Sequence, residues 1–487
     1  MGAGGHAARS TLVSAYYDTS DFAVDRAGFS LRVRTQEGRH IQTLKAKRPY
    51  GSALARSEWE DFVASAAPDL SAPEISTQIP KTIDLKDLRL QFTTTVQRST
   101  IELARSRGTR IEAVIDEGTI HTDRSSKTLP IREVELELKK GVPTALYASA
   151  LQLMEHARFR IEIRTKAERG YSLVRVGGEP EPIVHAGPVP LNADMTVDDA
   201  FETIGRHCLT HLLVNERAAF ASEAEGVHQM RVAIRRLRSA LTAAKPMIST
   251  EKHRWSANKL RWIADILAPA RNWDVFIAEL LQPVLDAVPL QPGLNRLADL
   301  AERERRAAYR DAREAMGSER YTASLLRLLR WFEMRAWRHH GATDEPARNV
   351  SRIGEIALGL LDRRRRQVRR FSKNFIALTS AERHVLRIAL KKLRYTVELF
   401  APLFDEKDVS TYLGHLEPLQ DALGRANDLR VAHALVAELC QSPGHPYHAA
   451  GRAGGFVLGW HERGLAGRGL ALREDVDHMR DAKPYWR

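Results

Sequence analysis

Along the first 176 residues, apolar and charged side chains alternate in short runs, at 29–34, 42–47, 57–63, 109–116, 131–139 and 159–166. A period of two predicts strands with one apolar and one charged face. A helix is expected between them, near 143–156. The stretch 177–190 (GGEPEPIVHAGPVP) is half glycine and proline and reads as an interdomain linker. Beyond it the period lengthens to 3.6 over 197–221, 227–245, 298–315 and 383–400, which predicts an all-helical domain. The expected organisation is α+β in two domains: a β-rich unit at 1–176, a linker at 177–192 and a helical unit at 193–487.

The helical half contains an internal repeat. The run from His228 to Arg238 (HQMRVAIRRLR) matches that from His384 to Arg394 (HVLRIALKKLR), an offset of 156 residues. The same offset carries Leu267 and Val275 onto Leu423 and Val431, and superposes two polar turns, Arg271-Asn272 and Asn427-Asp428. Two motifs sharing one offset predict a duplicated helical unit, at about 228–275 and 384–431.

Composition adds direction. The chain of 487 residues has 74 basic and 61 acidic side chains. Residues 1–190 hold 27 and 24 of them, and the helical half holds 47 and 37. That excess points to an anionic partner. Two cysteines, Cys208 and Cys440, make neither a disulfide framework nor a CxxC zinc site. No apolar run approaches a membrane span, and the first residues lack a signal-type apolar core, so a cytoplasmic location without membrane association is expected. No GxxxxGK[ST], HExxH or GxSxG occurs.

The charged strand faces suggest chemistry. Arg32 and Arg34 share a face, as do Lys45 and Lys47. So do Arg56, Glu58 and Glu60, and so do Arg110, Glu112 and Asp116. Glu133, Glu135, Glu137 and Lys139 are followed by Arg160, Glu162, Arg164 and Lys166. Three glutamates on one strand face repel unless cations lie between them. With such faces turned inward, basic groups can hold phosphate oxygens and carboxylates can hold Mg²⁺ or Mn²⁺.

These residues carry a resemblance. The runs Tyr16-Tyr-Asp-Thr19, Leu31-Arg-Val-Arg34, Thr43-Leu-Lys45, Arg56-Ser-Glu-Trp-Glu60, Glu133 to Lys139 (EVELELK) and Lys166 to Tyr171 (KAERGY) resemble the CYTH domain. That is the triphosphate tunnel fold of thiamine triphosphatases, inorganic triphosphatases and class IV adenylate cyclases. The paired HxxR(V/I)xx(R/K)(R/K)LR helices resemble the CHAD domain, a helical module that binds inorganic polyphosphate. Their order, with Trp460 and the closing Lys483 to Arg487, is similar to bacterial inorganic triphosphatases of CYTH–CHAD type.

The resemblance implies an antiparallel barrel, and metal-assisted attack of water on a terminal phosphoryl group of triphosphate or short polyphosphate. It makes Arg32, Arg34, Lys45, Arg56, Arg110 and Lys166 phosphate-binding residues, with Lys45 also catalytic. Glu58 and Glu60 orient these bases. Glu133, Glu135 and Glu137 become metal-ligating and catalytic residues for Mg²⁺ or Mn²⁺. One departure stands out: the family opens on a strand bearing ExExK, and the fifteen residues before Tyr16 contain neither glutamate nor lysine. The expected barrel therefore lacks its first strand, either because the true start lies upstream or because the tunnel is broken. A polyphosphate-binding protein with an inactive tunnel is the alternative.

In the helical half, His228, Arg231, Arg235 and Arg238 fall within about 80° of one another on a helix. His384, Arg387, Lys391 and Arg394 do the same. The opposite stripes are Met230, Ile234, Leu237, Leu241 and Leu386, Leu390, Leu393, Val397. Like charges at these spacings cost helix stability, and no glutamate is expected to relieve them, so a linear polyanion supplies the countercharge. Inorganic polyphosphate is the expected partner. Nucleic acid is not, because no aromatic residues interleave the stripes to stack bases.

Overall fold

The computed structural model describes the chain apart from residues 1–7, 47–56, 81–82, 84, 105–107, 176–182, 246–247, 339–350, 442–446 and 468. It divides into two units, Met1–Glu181 and Pro182–Arg487.

The first unit is built on β1 (Ala8–Asp18), β2 (Phe29–Gln36), β3 (Arg39–Ala46), β4 (Glu58–Val63), β5 (Arg89–Ala104), β6 (Arg110–Thr122) and β7 (Ser125–Lys140). They form one antiparallel sheet in the order β4-β3-β2-β1-β5-β6-β7. Five of the six alternating segments are strands, and the expected helix forms at Thr144–Leu153. The sixth segment is a correction. Among the described residues 159–165 pair with no strand, and the helix Lys166–Arg175 begins where a strand was expected. The cause is a reciprocal cap: the Thr165 amide donates to Glu168 Oε2 (2.7 Å), and the Glu168 amide donates to Thr165 Oγ1 (3.0 Å). The barrel, too, is not closed. Among the described residues the edge strands β4 and β7 are not neighbours in the sheet. No strand precedes β1 among the described residues.

Each sheet face carries an apolar cluster. Leu12, Tyr16, Phe92, Val96, Ile120 and Ile131 pack under Ala167, Tyr171 and Leu173 of the helix Lys166–Arg175. On the other face Leu31 and Leu44 pack with Val24, Ile75 and Ile79. Gly170 lets that helix sit close, for a Cβ there would lie 2.1 Å from the Phe92 ring. The buried Asp18 carboxylate accepts from the amides of Thr19 (2.7 Å), Val24 (2.8 Å) and Asp25 (2.9 Å). In the Tyr-Tyr-Asp-Thr run, the aspartate thus folds a turn.

The second unit is helical. Its repeat helices are Ala224–Ala243 and Ser380–Phe400, the latter opened by a capping box between Thr379 and Glu382. All eight residues of the two apolar stripes are buried, as the 3.6 period predicts. The expected polar turns are corrected: Arg271-Asn272 lies within the helix Ala268–Val275, and Asn427-Asp428 within Glu406–Gln441. The described end of the expected linker is docked on these helices. Val184 exchanges two hydrogen bonds with the Asn215 side chain and its carbonyl meets His211 Nε2 (2.9 Å). The Gly187 carbonyl accepts from Arg236 Nη1 (2.7 Å), and Val189 is fully buried. A proline-rich segment without its own ladder has its carbonyls satisfied by side chains. At the C-terminus, Trp486 Nε1 donates to Asp362 (3.0 Å) and Arg487 pairs with the same carboxylate.

Candidate functional site

Strand register brings the charged residues of the sheet to one face. Lys45 stands opposite Glu58, Thr43 opposite both Glu60 and Arg32, and Arg32 and Arg34 opposite Tyr16 and Ser14. Ser10 is paired with Arg98, Arg98 with Asp116, and Asp116 with Glu133. Because side chains alternate, all of these project to the same side.

Two ionic groups form there. In the first, Glu58 Oε1 pairs with Lys45 (2.7 Å) and Arg32 (3.5 Å), while Glu60 accepts from Thr43 Oγ1 (3.0 Å). Burial pushes the Lys45 ammonium down to about 8, with Arg32 adding to the effect against the pull of Glu58. Burial alone would raise the Glu58 carboxyl, yet Lys45 and Arg32 hold it below its ordinary range. The Arg34 guanidinium falls to about 10 through burial and the charges of Arg32 and Arg98. The Nε atoms of Arg32 and Arg34 are buried with no hydrogen-bond partner among the described residues, a deficit that an anion would fill.

In the second group, Asp116, Glu133 and Glu135 bring one carboxylate oxygen each within 4.8 Å of the others. Three carboxylates are the hard oxygen donors that a divalent cation prefers. Lys166 Nζ stands among them, 2.8 Å from Asp116, 2.7 Å from Glu135 and in contact with Glu133. Arg98 clasps Asp116 through Nε (2.8 Å) and Nη2 (2.6 Å) and reaches Glu135 (3.3 Å), and Arg169 meets Glu133 (3.0 Å). Burial would lower the Lys166 pKa, but the three carboxylates raise it above its usual value. Against burial, Lys166 and Arg98 hold Glu135 below its ordinary range.

The remaining expected site residues fall elsewhere. Glu137 pairs with Lys139 (2.9 Å) and is largely exposed, and it is not part of the three-carboxylate group. Arg110 makes an exposed pair with Glu102 (3.7 Å), six residues along β6 from Asp116. Arg56, like Lys47, lies outside the described residues. Arg98 and Arg169 were not singled out from sequence, and Asp116 was placed on a charged face without a metal role. Asp116 shared a parity with Glu112 and could have been found, whereas Arg98 sits in TTTVQRST, where threonines blur the alternation.

In the helical unit the two cationic stripes meet. Arg235 and Arg231 each depress Lys391, which burial, Arg387 and Arg235 bring down to about 8. Arg235 also lowers Arg387, after burial. Arg231 falls to about 10 through burial, Arg235 and Arg271. Arg235 lies 5.5 Å from the Tyr395 ring centroid on the second repeat helix. Its Nε, like that of Arg387, is buried with no hydrogen-bond partner among the described residues. Arg231, Arg235, Arg387 and Lys391 therefore line one basin, to which Arg271 and Arg430 add charge.

Two expectations are corrected here, for His228 and Arg394. His228 is no cation at neutral pH, since burial and Arg271 push it down to about 4. Arg394 is relieved after all, by Glu398 one turn on (2.6 Å). Arg238 and His384 are exposed at their helix surfaces.

Comparison with known proteins agrees with this geometry. The CYTH domain family matches residues 3–171 and the CHAD domain family residues 203–437. An uncharacterized protein of Mycobacterium tuberculosis is 30% identical over 246 residues, covering 47% of this chain and 44% of that protein. A second from another strain is 29% identical over the same length. The matched region is thus under half the length of these curated relatives. The crystal structure of the CHAD domain from the plant Ricinus communis matches with a TM-score of 0.53 and 29% identity, covering 62% of this chain and 98% of that one. Among the described residues no helix is long and apolar enough to cross a membrane. The chain is a two-domain protein in which a CYTH domain is followed by a CHAD domain.

Proposed function

We propose that the CYTH unit hydrolyses inorganic triphosphate or short polyphosphate with Mg²⁺ or Mn²⁺, and that the CHAD unit binds polyphosphate. The observation that carries this reading is the single sheet face on which Arg32, Arg34, Lys45 and Arg98 stand beside Asp116, Glu133 and Glu135. The cations supply donors for phosphate oxygens, two of them through unsatisfied guanidinium nitrogens. Glu58 fixes Lys45 and Arg32, so the anion meets a preset array. Asp116, Glu133 and Glu135 would hold the metal, which supplies charge neutralisation at the transferred phosphoryl group. A cytoplasmic location accords with two free cysteines.

Phosphate release from tripolyphosphate is the test. It should require Mg²⁺ or Mn²⁺, stop in EDTA and fall at least 100-fold in Glu135→Gln. Turnover that persists in EDTA, or an unaffected variant, contradicts the mechanism. Tripolyphosphate binding without any metal-supported release would instead select a binding-only tunnel, a reading favoured by the open sheet.

A further inference from the structure

We infer that Lys166 is the resident cation of the Asp116–Glu133–Glu135 group, and that a divalent ion enters only by expelling its ammonium. The inference rests on the reading of these carboxylates as metal ligands. Their three negative charges are already matched by Lys166, Arg98 and Arg169. The three cations are not equivalent. Arg98 bridges Asp116 and Glu135 from one side, and Arg169 reaches Glu133 alone. Lys166 alone touches all three, so its nitrogen occupies the point where their oxygens converge.

An ammonium and a bare ion hold their oxygens at different distances. Acceptors around a tetrahedral N–H₃⁺ at about 2.8 Å stand roughly 4.6 Å apart. Ligands on an octahedral Mg²⁺ at about 2.1 Å stand roughly 3.0 Å apart when adjacent and 4.2 Å apart when opposite. Lys166 Nζ stands at the first kind of distance, 2.8 Å from Asp116 and 2.7 Å from Glu135. A divalent ion must therefore draw the carboxylates inward and meet the ammonium at close range, where like charges repel. Lys166 begins a helix pinned to the sheet through Ala167 and Tyr171, so its Cα stays in place and only the side chain swings. A bound triphosphate offers the displaced ammonium new oxygens, which makes metal and triphosphate favour each other's binding.

Mn²⁺ binding to the full chain without phosphate, read from the electron paramagnetic resonance of the free ion, tests this. Lys166→Gln should bind Mn²⁺ at least tenfold more tightly than the unaltered protein, and adding Asp116→Asn should abolish that gain. Equal or weaker binding by Lys166→Gln overturns the displacement while leaving the metal centre standing. A gain that survives Asp116→Asn places the ion elsewhere and overturns it too. No binding to either protein removes the metal centre itself. If Lys166→Gln does not fold, the unaltered protein decides. Saturating Mn²⁺ should raise acetylation of Lys166 by an amine-reactive reagent severalfold by mass spectrometry, and unchanged labelling with Mn²⁺ bound refutes the proposal.

Discussion

Lys391 carries a charge within reach of ordinary pH, because burial beside Arg387 and Arg235 brings it down to about 8. As pH rises through 8 the basin loses that charge, and polyphosphate affinity should fall between pH 7 and 9. Lys391→Arg keeps its charge over this range and should flatten the fall, as isothermal titration at several pH values would show. Stability moves the other way. Between pH 8 and the unfolded lysine value of about 10.4, the unfolded chain binds more protons, so this group makes the free protein more stable as pH rises. Lys45, also brought down to about 8, predicts a parallel loss of tripolyphosphate affinity in the sheet unit. Affinity unchanged up to pH 9.5 in both units would contradict these charge states.

Elements fix these residues, and their tolerances are as narrow. The helix Lys166–Arg175 lies against the sheet through Gly170, where an added methyl meets the Phe92 ring. Gly170→Ala should lower stability by about 1–3 kcal/mol and loosen the Lys166 contacts, visible as a lower melting temperature. That helix also shows where sequence reading reaches its limit. Alternation over 159–166 predicted a strand, yet the Thr165–Glu168 cap determines the local structure, because a reciprocal pair of bonds forms within four residues while a strand needs a partner. The charged strands with clean parity were legible, and so were both buried helical stripes. β1 and β5 were not, because serine and threonine occupy their polar positions. The pairing of Arg98 with Asp116, and of Arg394 with Glu398, depends on tertiary or one-turn geometry that composition does not display. Charge reversal tests the stripes as a pair. Arg235→Glu with Arg387→Glu should abolish retention on a polyphosphate column, while circular dichroism keeps its helical signal. Both residues lie opposite the buried stripe, so helices that melt would mean they hold the fold.

At the scale of the molecule, two cation-rich surfaces reside in one chain, one on a sheet and one between repeat helices. Binding of long polyphosphate should weaken steeply with salt, because each basin cation releases a counterion. The double-logarithmic slope should drop by about two when Arg235 and Arg387 are neutralised to glutamine. Nucleic acid should compete poorly at equal phosphate concentration, and equal competition would identify a general polyanion site. The repeat has a consequence for how a polymer enters. Arg231 acts on Lys391 while Arg235 acts on Arg387, the residues matching each other across the 156-residue offset in both directions. Such reciprocity is what an approximate two-fold relation between the repeat helices produces. A two-fold site looks alike to a strand threaded forwards or backwards. A nucleic acid has a 5′ and a 3′ sense and fits only one of them equally well at every sugar, whereas a row of identical phosphates has no sense at all. The duplicated helix thus suits a polymer without polarity, such as the proposed polyphosphate, whose two ends are equivalent at such a site.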